Sequence, residues 1–250
     1  MSTEPAAGQI PFFGAGISRP HLGIAAAELA HDLATEVGAP HDTLLSDVSD
    51  MYVDQRGEPA FIDFLKRKLV VATLDDSKAS THRLLLSLGQ NVLYTTNQDN
   101  IFELTAKTYG RPYRRIVTID DLSDAKPGER LLIKFHGDTD VPSSLVFGAR
   151  SYRARLEAEG HPLDIKLRAD LLGKRLLFLG YSFSDENVSK LIDSPLKDTV
   201  RAAIHHAWQG SRSRFPLEGF PNILPHKGFH EIMRDMQGIV PARFRNPESE

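Results

Sequence analysis

The sequence contains no cysteine among its 250 residues. It can therefore form no disulfide framework, offers no thiolate nucleophile and cannot build a structural zinc site on sulfur. It also lacks any apolar run near the ~20 residues that a membrane-spanning helix needs. The opening peptide, MSTEPAAGQ, lacks the basic start and apolar core of a signal peptide. We expect a cytoplasmic protein that binds no metal and contacts no membrane.

An excess of basic charge is missing as well. The chain has 30 lysine and arginine residues against 33 acidic ones, for a net charge of −3. Because nucleic-acid-binding surfaces usually carry a basic excess, we expect no direct nucleic-acid binding. We interpret the short cluster 111-RPYRR-115 as solvated loop charges. The overall composition is that of an ordinary globular protein, and a chain of this length can bury one substantial core.

Predicted strands and helices alternate along the chain. Apolar segments predict strands at residues 9–14, 91–96, 115–119, 131–137, 175–182 and 203–208. Apolar residues at helical spacing predict helices at about 21–37, 43–53, 60–70, 82–88, 100–109, 149–159, 163–172, 184–192 and 228–236. This alternation predicts an α/β fold with a doubly wound, mostly parallel sheet. We predict a single domain over residues 1–250, in which residues of about 40–89 add a helical layer.

Four short peptides follow predicted strands and contain glycine or polar residues. They are 14-GAGIS-18, 95-TTNQD-99, 135-FHGD-138 and 180-GYSFS-184. In doubly wound sheets, ligands bind outside the carboxyl ends of the strands. The four peptides therefore predict one binding site at this edge of the sheet.

The first peptide has almost no side-chain bulk. Gly14, Ala15 and Gly16 would let a pyrophosphate approach the backbone N–H groups, and Ser18 would add a hydroxyl donor. The peptide matches neither the G-x-G-x-x-G fingerprint nor the P-loop, and the alternative is a tight turn between a strand and a helix. In the fourth peptide, Gly180 again permits a close approach.

Two side chains are predicted to be catalytic. Asn97 carries two donors and an acceptor on a short side chain, which suits it to hold a water or a ribose hydroxyl. His136 follows an apolar strand, and its imidazole can take a proton from a sugar hydroxyl near neutral pH. Nearby, Asp99 either binds sugar hydroxyls or caps the helix that begins at Asn100.

Together and in this order, the four peptides resemble motifs of the sirtuin family, and more closely its cysteine-free, sirtuin-like branch of bacterial antiphage defence. The first matches G-A-G-x-S, the second keeps Thr, Asn and Asp of T-Q-N-I-D, the third matches the His-Gly pair, and the fourth resembles G-T-S. The resemblance spans roughly residues 14–184. It implies a Rossmann-like domain that binds NAD across the carboxyl edge of the sheet and cleaves the nicotinamide–ribose bond.

The resemblance also implies roles for individual residues. Asn97 would orient the ribose or the attacking water, and His136 would act on the ribose hydroxyls as a general base. The residues implied to contact NAD are Gly14, Ala15, Gly16, Ser18, Thr95, Asp99, Gly180 and Ser182.

Departures from the family pattern bear on the expected reaction. Deacylases of the family carry a Cys₄ zinc module after the His-Gly pair, whereas this chain has no cysteine and only 36 residues between Gly137 and Lys174. The family's G-I-P-D-F-R peptide is replaced by 19-RPHLGIAAAEL-29, and Gln98 stands in place of Ile. Water is then the expected acceptor. We predict an NAD hydrolase that forms nicotinamide and ADP-ribose and acts in antiphage defence by NAD depletion.

Two other functions stay open from the sequence. One is a zinc-free NAD-dependent protein deacylase, and the other is a non-catalytic module that binds NAD or ADP-ribose. An NAD hydrolase without control would empty its own cell. We therefore expect control by homo-oligomerisation or by a partner protein of a defence system, unless the chain is one domain of a longer protein.

Overall fold

A computed structural model describes residues 9–158, 160–172, 174–181 and 200–201. Within these ranges one sheet contains six strands: β1 (Gln9–Phe13), β2 (Val92–Thr95), β3 (Arg114–Ile116), β4 (Leu131–Lys134), β5 (Arg175–Leu179) and β6 (Val200–Arg201). Their order is β3-β4-β2-β1-β5-β6, and each neighbouring pair is parallel. The predicted α/β class and parallel sheet are confirmed.

The helices that connect and cover these strands are α1 (Arg19–Leu22), α2 (Ala26–Val37), α3 (Leu45–Arg56), α4 (Glu58–Leu69), α5 (Ser80–Ser87), α6 (Ile101–Thr108), α7 (Ile119–Ser123), α8 (Ala149–Glu157) and α9 (Pro162–Leu171). Short 3₁₀ turns occupy Ala15–Ile17, Asp76–Lys78 and Pro142–Ser144. Among the described helices, none is both long enough and apolar enough to cross a membrane.

Both faces of the sheet are covered, which explains why its strands have continuous apolar sequences. Side chains alternate between the faces along each strand. Phe12 packs with the apolar side chains of α9 on one face, and its neighbour Phe13 packs with those of α5 and α6 on the other. Leu93 and Tyr94 divide between the two faces in the same way. Helices on opposite faces of a parallel sheet are the doubly wound arrangement that the sequence predicted.

A separate helical layer is formed by α2, α3 and α4. Its core contains Leu33, Val48 and Phe64, each with no exposed surface. Leu145 and Phe147, from the segment after β4, pack against it. The layer thus includes α2, which precedes the predicted boundary near residue 40. The division of the chain into one domain with an insertion at about 40–89 stays a prediction.

Near residue 117 the structure differs from the sequence-based assignment. The predicted strand at 115–119 was too long, because β3 ends at Ile116 and α7 begins at Ile119. Thr118 Oγ1 accepts a hydrogen bond from the Asp121 N–H (3.2 Å), and the Asp121 carboxylate accepts one from the Thr118 N–H (2.9 Å). This reciprocal capping stabilises a helix start and stops the extended backbone. The predicted segments at 184–192, 203–208 and 228–236 lie outside the described residues.

Strands β1 and β5 come into close contact just beyond their carboxyl ends. The Gly14 N–H donates to the Leu179 carbonyl (3.0 Å), and the Gly16 N–H donates to the Gly180 carbonyl (2.9 Å). Gly180 has a φ of +60°. A Cβ atom added to it would lie 2.6 Å from the backbone nitrogen of Ile17, so only glycine fits between the two loops.

We expect Gly180→Ala to lower the free energy of unfolding more than Gly110→Ala does. Both glycines are left-handed, with φ of 60° and 65°, so the backbone cost for alanine is about 1–2 kcal/mol at each. Nothing lies within 4 Å of a Cβ added to Gly110, whereas at Gly180 the overlap with Ile17 adds roughly 1–3 kcal/mol. Urea denaturation of the two variants measures the difference. Equal losses would contradict the close contact between the loops.

Candidate active site

The carboxyl ends of β1, β2, β4 and β5 meet at the centre of the sheet. Strand β1 is the switch point, because β2 pairs with it on one side and β5 on the other. The peptides at 14–18, 95–99 and 135–138 therefore come together as predicted. In the fourth peptide the structure describes Gly180 and Tyr181, and Ser182 lies outside the described residues.

The backbone of the glycine turn is already engaged in hydrogen bonds. The N–H groups of Gly14 and Gly16 are bonded to the end of β5, as described above, while those of Ile17 and Ser18 donate to carbonyls within the turn (3.2 and 3.1 Å). A Cβ added to Gly16 would lie 2.8 Å from the Gly180 carbonyl oxygen. The contact between two loops thus accounts for these glycines without a ligand.

The NAD-binding role of the turn accordingly stays a prediction. Ala15 is its exposed residue, while Gly14 is buried and Gly16 half-buried. A pyrophosphate in this place would lie against the surface of the turn rather than between Gly16 and Gly180.

Beyond the turn, three buried polar side chains form a chain of hydrogen bonds. Ser18 lies after β1, Asn97 after β2, and His82 on α5. Asn97 Nδ2 is 3.1 Å from Ser18 Oγ, and Ser18 Oγ is 3.3 Å from His82 Nε2. All three side chains are at least 95% buried. The structure therefore brings together Ser18 and Asn97, both predicted from the sequence, and adds His82.

Each end of this chain of bonds has an unpaired polar atom. Among the described residues, neither Asn97 Oδ1 nor His82 Nδ1 has a hydrogen-bond partner. Buried polar atoms are nearly always paired, by protein or by ordered water, and leaving one unpaired costs about 1–3 kcal/mol. Because Asn97 lies at the switch point of the sheet, its unpaired oxygen is a candidate contact for a ligand.

Thr95 and Asp99 have internal structural roles on either side of Asn97. Thr95 Oγ1 donates to the Phe13 carbonyl (2.9 Å) and accepts from the Asn97 N–H (3.0 Å), which holds the Asn97 backbone against β1. Asp99 Oδ1 accepts from the Ile101 N–H (3.1 Å). Asp99 thus caps α6, one of the two roles that the sequence left open. The predicted NAD contacts of both residues stay predictions.

His136 is buried at the end of the neighbouring strand. The Phe135 N–H donates to the Thr95 carbonyl (2.7 Å), so the pairing of β4 with β2 continues past the strands. Asn97 and His136 each follow the paired residues Thr95 and Lys134 by two positions. They therefore occupy equivalent places on adjacent strand ends, which are about 4.8 Å apart in a sheet.

Burial keeps both histidines of the site neutral. It lowers the pKa of His136 to about 3, and the positive charge of Arg155 acts in the same direction. Burial likewise lowers the pKa of His82 to about 4, where Asp99 opposes the shift and His21 adds to it. A neutral imidazole has one nitrogen that accepts a hydrogen bond, so either ring can act as an acceptor at neutral pH.

Two buried polar residues near the site were not predicted from the sequence: His82, and Lys134 inside β4. The Lys134 side chain is 1% exposed, and Nζ lies 2.7 Å from Asp138 Oδ2, 3.1 Å from Glu103 Oε1 and 2.8 Å from the Asp99 carbonyl. A buried charge needs such partners. Both residues could have been identified as polar side chains in or next to an apolar segment. Lys134 lies within 131-LLIKFHG-137, and His82 precedes 84-LLLSL-88.

A cavity of about 240 Å³ lies beside this ionic cluster and is lined in part by Gln98, Arg115, Asp138 and Asp140. Arg115 Nη1 is 3.2 Å from a carboxylate oxygen of each aspartate. Lys66 Nζ lies 3.0 Å from Asp140 Oδ1 and Lys134 Nζ 2.7 Å from Asp138 Oδ2, so each of these charges already has an oppositely charged partner within the protein. In the described part of the chain, no group of three or more His, Cys, Asp or Glu side chains could hold a metal ion.

We expect the free energy of unfolding to decrease as pH falls below about 6.5. The pKa values of folded His82 and His136 lie below the ordinary value of 6.5, so the unfolded chain binds more protons in this range. Each histidine then removes up to about 1.4 kcal/mol per pH unit. Urea denaturation between about pH 7 and about pH 4.5 measures the slope. His82→Gln should reduce it, and an unchanged slope would contradict a neutral, buried His82.

Comparisons with known proteins agree with this arrangement. A family model described as a SIR2-like domain matches residues 91–221, just over half of the chain. Three relatives are each named NAD(+) hydrolase ThsA: those of Enterococcus faecium, Acinetobacter baumannii and Bacillus cereus are 30%, 28% and 25% identical over 190 residues. Each alignment covers 72% of this chain but 38% of the relative, so the chain spans about two fifths of the length of these proteins.

The parallel sheet, the order of its motifs and the match over residues 91–221 lead to one conclusion: the chain belongs to the SIR2-like domain family.

Proposed function

We propose that this protein hydrolyses NAD at the nicotinamide–ribose bond and releases nicotinamide and ADP-ribose. The observation that carries the proposal is the unpaired, buried Oδ1 of Asn97, which lies at the switch point beside the strand end that bears His136. The three relatives named NAD(+) hydrolase support NAD as the substrate.

Hydrolysis of this bond needs little acid catalysis from the protein. The oxygen of a water molecule bonds to C1′ of the nicotinamide ribose while the bond from C1′ to the pyridinium nitrogen breaks. The electron pair of that bond neutralises the pyridinium, so nicotinamide leaves as a neutral molecule, and the water loses one proton, which passes to the solvent. The protein must position the water and the ribose and exclude other water.

Asn97 and His136 have the properties that these tasks need. The unpaired Asn97 Oδ1 can accept a hydrogen bond from the attacking water or from a ribose hydroxyl. The neutral, buried His136 can accept a hydrogen bond from a ribose hydroxyl, which is the contact that a general base needs, while Tyr152, whose hydroxyl is 3.5 Å from His136 Nδ1, helps to hold the ring. We propose that the rest of the dinucleotide extends along the carboxyl edge toward β5. Its contacts would then be Gly14, Ala15, Gly16, Ser18, Thr95, Asp99, Gly180 and Ser182.

We expect purified protein to release nicotinamide from NAD without any peptide, and Asn97→Ala and His136→Ala to reduce kcat/KM. Loss of a positioning contact costs about 10²-fold, and loss of a general base about 10²- to 10⁴-fold. Chromatography of nicotinamide and ADP-ribose measures both products. Asn91→Ala and His41→Ala are matched controls, because both residues are exposed and neither lies at the carboxyl end of a strand. Equal activity in all four variants would refute the assignment.

Other outcomes of the same assay select the alternatives. Nicotinamide release that requires an acylated peptide would identify a zinc-free deacylase. Tight NAD binding without turnover at any protein concentration would identify a binding module. No NAD binding at all would contradict the proposed substrate.

We further propose that the activity serves antiphage defence by depleting cytoplasmic NAD, and that assembly controls it. The relatives' shared activity supports the first part, and the need to protect the cell's own NAD supports the second. If copies of this chain must assemble, specific activity should rise with protein concentration in parallel with the oligomer seen by sedimentation. A constant specific activity across that range would leave a partner protein as the means of control.

A further inference from the structure

The order of donors and acceptors in the chain Asn97–Ser18–His82 has two forms in which the Ser18 hydroxyl both donates and accepts. Ser18 Oγ lies between the other two side chains, and its hydroxyl has a single proton to donate. It can donate to His82 Nε2 and accept from the Asn97 amide, or it can donate to Asn97 and accept from His82. The tautomer of His82 therefore determines which atom of the Asn97 amide faces Ser18.

The two forms present different groups to the site. If His82 Nε2 carries no proton, Ser18 donates to it, Asn97 Nδ2 donates to Ser18, and Asn97 Oδ1 faces away from Ser18. If His82 Nε2 is protonated, each bond reverses and the Asn97 amide presents its NH₂ group instead. The amide oxygen and the amide nitrogen thus exchange places when one proton moves around the imidazole ring.

The position of the Asn97 amide favours the first form. The atom that lies 3.1 Å from Ser18 Oγ is the amide nitrogen, Nδ2, while Oδ1 has no partner among the described residues. An amide nitrogen can only donate, so Ser18 accepts this bond and its own proton is left for His82 Nε2.

We propose that His82 is a positioning residue: its unprotonated Nε2 accepts the Ser18 hydroxyl, and this bond turns the Asn97 amide so that Oδ1 faces the ribose or the attacking water. His82 acts through Ser18 and does not touch the substrate. The consequence for catalysis rests on the proposed NAD hydrolysis, whereas the direction of the hydrogen bonds does not. The lowered pKa of His82 supports the neutral ring that this arrangement needs.

The tautomer can be measured directly. In protein labelled with ¹⁵N and ¹³C histidine, long-range correlation NMR distinguishes a protonated ring nitrogen from an unprotonated one. His82→Gln identifies the His82 signals among those of the ten histidines. We expect Nδ1 to carry the proton, and we expect Ser18→Ala to abolish that preference. A protonated Nε2 in the parent protein overturns the proposal.

Kinetics test the consequence for Asn97. His82→Leu cannot accept from Ser18, so kcat for NAD hydrolysis should fall about 10- to 100-fold while KM changes little. In His82→Gln, the amide oxygen can take the place of Nε2 as acceptor, so most of kcat should return. A purely structural role for the ring would instead be reflected in the unfolding free energy of both variants, without rescue by Gln.

A double-mutant cycle tests whether the effect passes through Ser18. If it does, Ser18→Ala combined with His82→Leu should be no slower than the slower single variant. Losses that multiply would show independent effects and would overturn the proposal. If His82→Leu does not fold, the cycle is run with His82→Asn, whose shorter side chain reaches less far toward Ser18.

The experiments separate this proposal from the proposed function. A parent protein that binds but does not hydrolyse NAD, with His82 protonated on Nδ1, refutes the hydrolase and supports the bond direction. A parent protein that hydrolyses NAD, with His82 protonated on Nε2, supports the hydrolase and refutes the role of His82.

Discussion

The close contact between the glycine turn after β1 and Gly180 after β5 is the constraint on which the candidate site depends. β1 is paired with β2 on one side and β5 on the other, so the turn that follows it is confined from both directions. Two backbone hydrogen bonds, with no room for a Cβ at Gly16 or Gly180, fix the path of the turn. That path brings Ser18 into the protein interior, where Asn97 and His82 can reach its hydroxyl.

Two buried polar clusters lie at this edge of the sheet, and their hydrogen bonding distinguishes their roles. Around Lys134, the ammonium group contacts two carboxylates and a backbone carbonyl, so the charge is compensated within the protein. Around Ser18, the chain of bonds ends at two atoms with no partner among the described residues. A buried charge that is already paired offers little to a ligand, because breaking its pairs is strongly destabilising. An uncompensated one is the place where a ligand gains most from binding.

The site draws its polar groups from the sheet and from α5, whereas the layer of α2, α3 and α4 has a hydrophobic core of its own. Leu145 and Phe147 join that layer to the segment that follows His136. A change in the packing of the layer would therefore reach His136 through nine to eleven residues of backbone. This connection links the packing of the helical layer to the segment that follows His136.

The sequence alone determined the fold class and the position of the candidate site. Apolar strands alternating with amphipathic helices can bury their surfaces only in a layered α/β arrangement, and the motifs after those strands had to meet at one edge. The strand predicted at residues 115–119 from its apolar residues was too long. The capping interaction between Thr118 and Asp121 begins a helix there and ends the strand.

Only the tertiary structure decided what the glycines contact and which polar residue joins Ser18. Gly16 and Gly180 are 164 positions apart in the chain, and nothing in either local sequence shows that each leaves space for the other. His82 lies 64 positions from Ser18, on a helix whose Leu85 and Leu86 pack in the core. The spacing of apolar residues predicts which surfaces are buried, but the partner of a buried polar atom depends on the packing of segments that are distant in the chain.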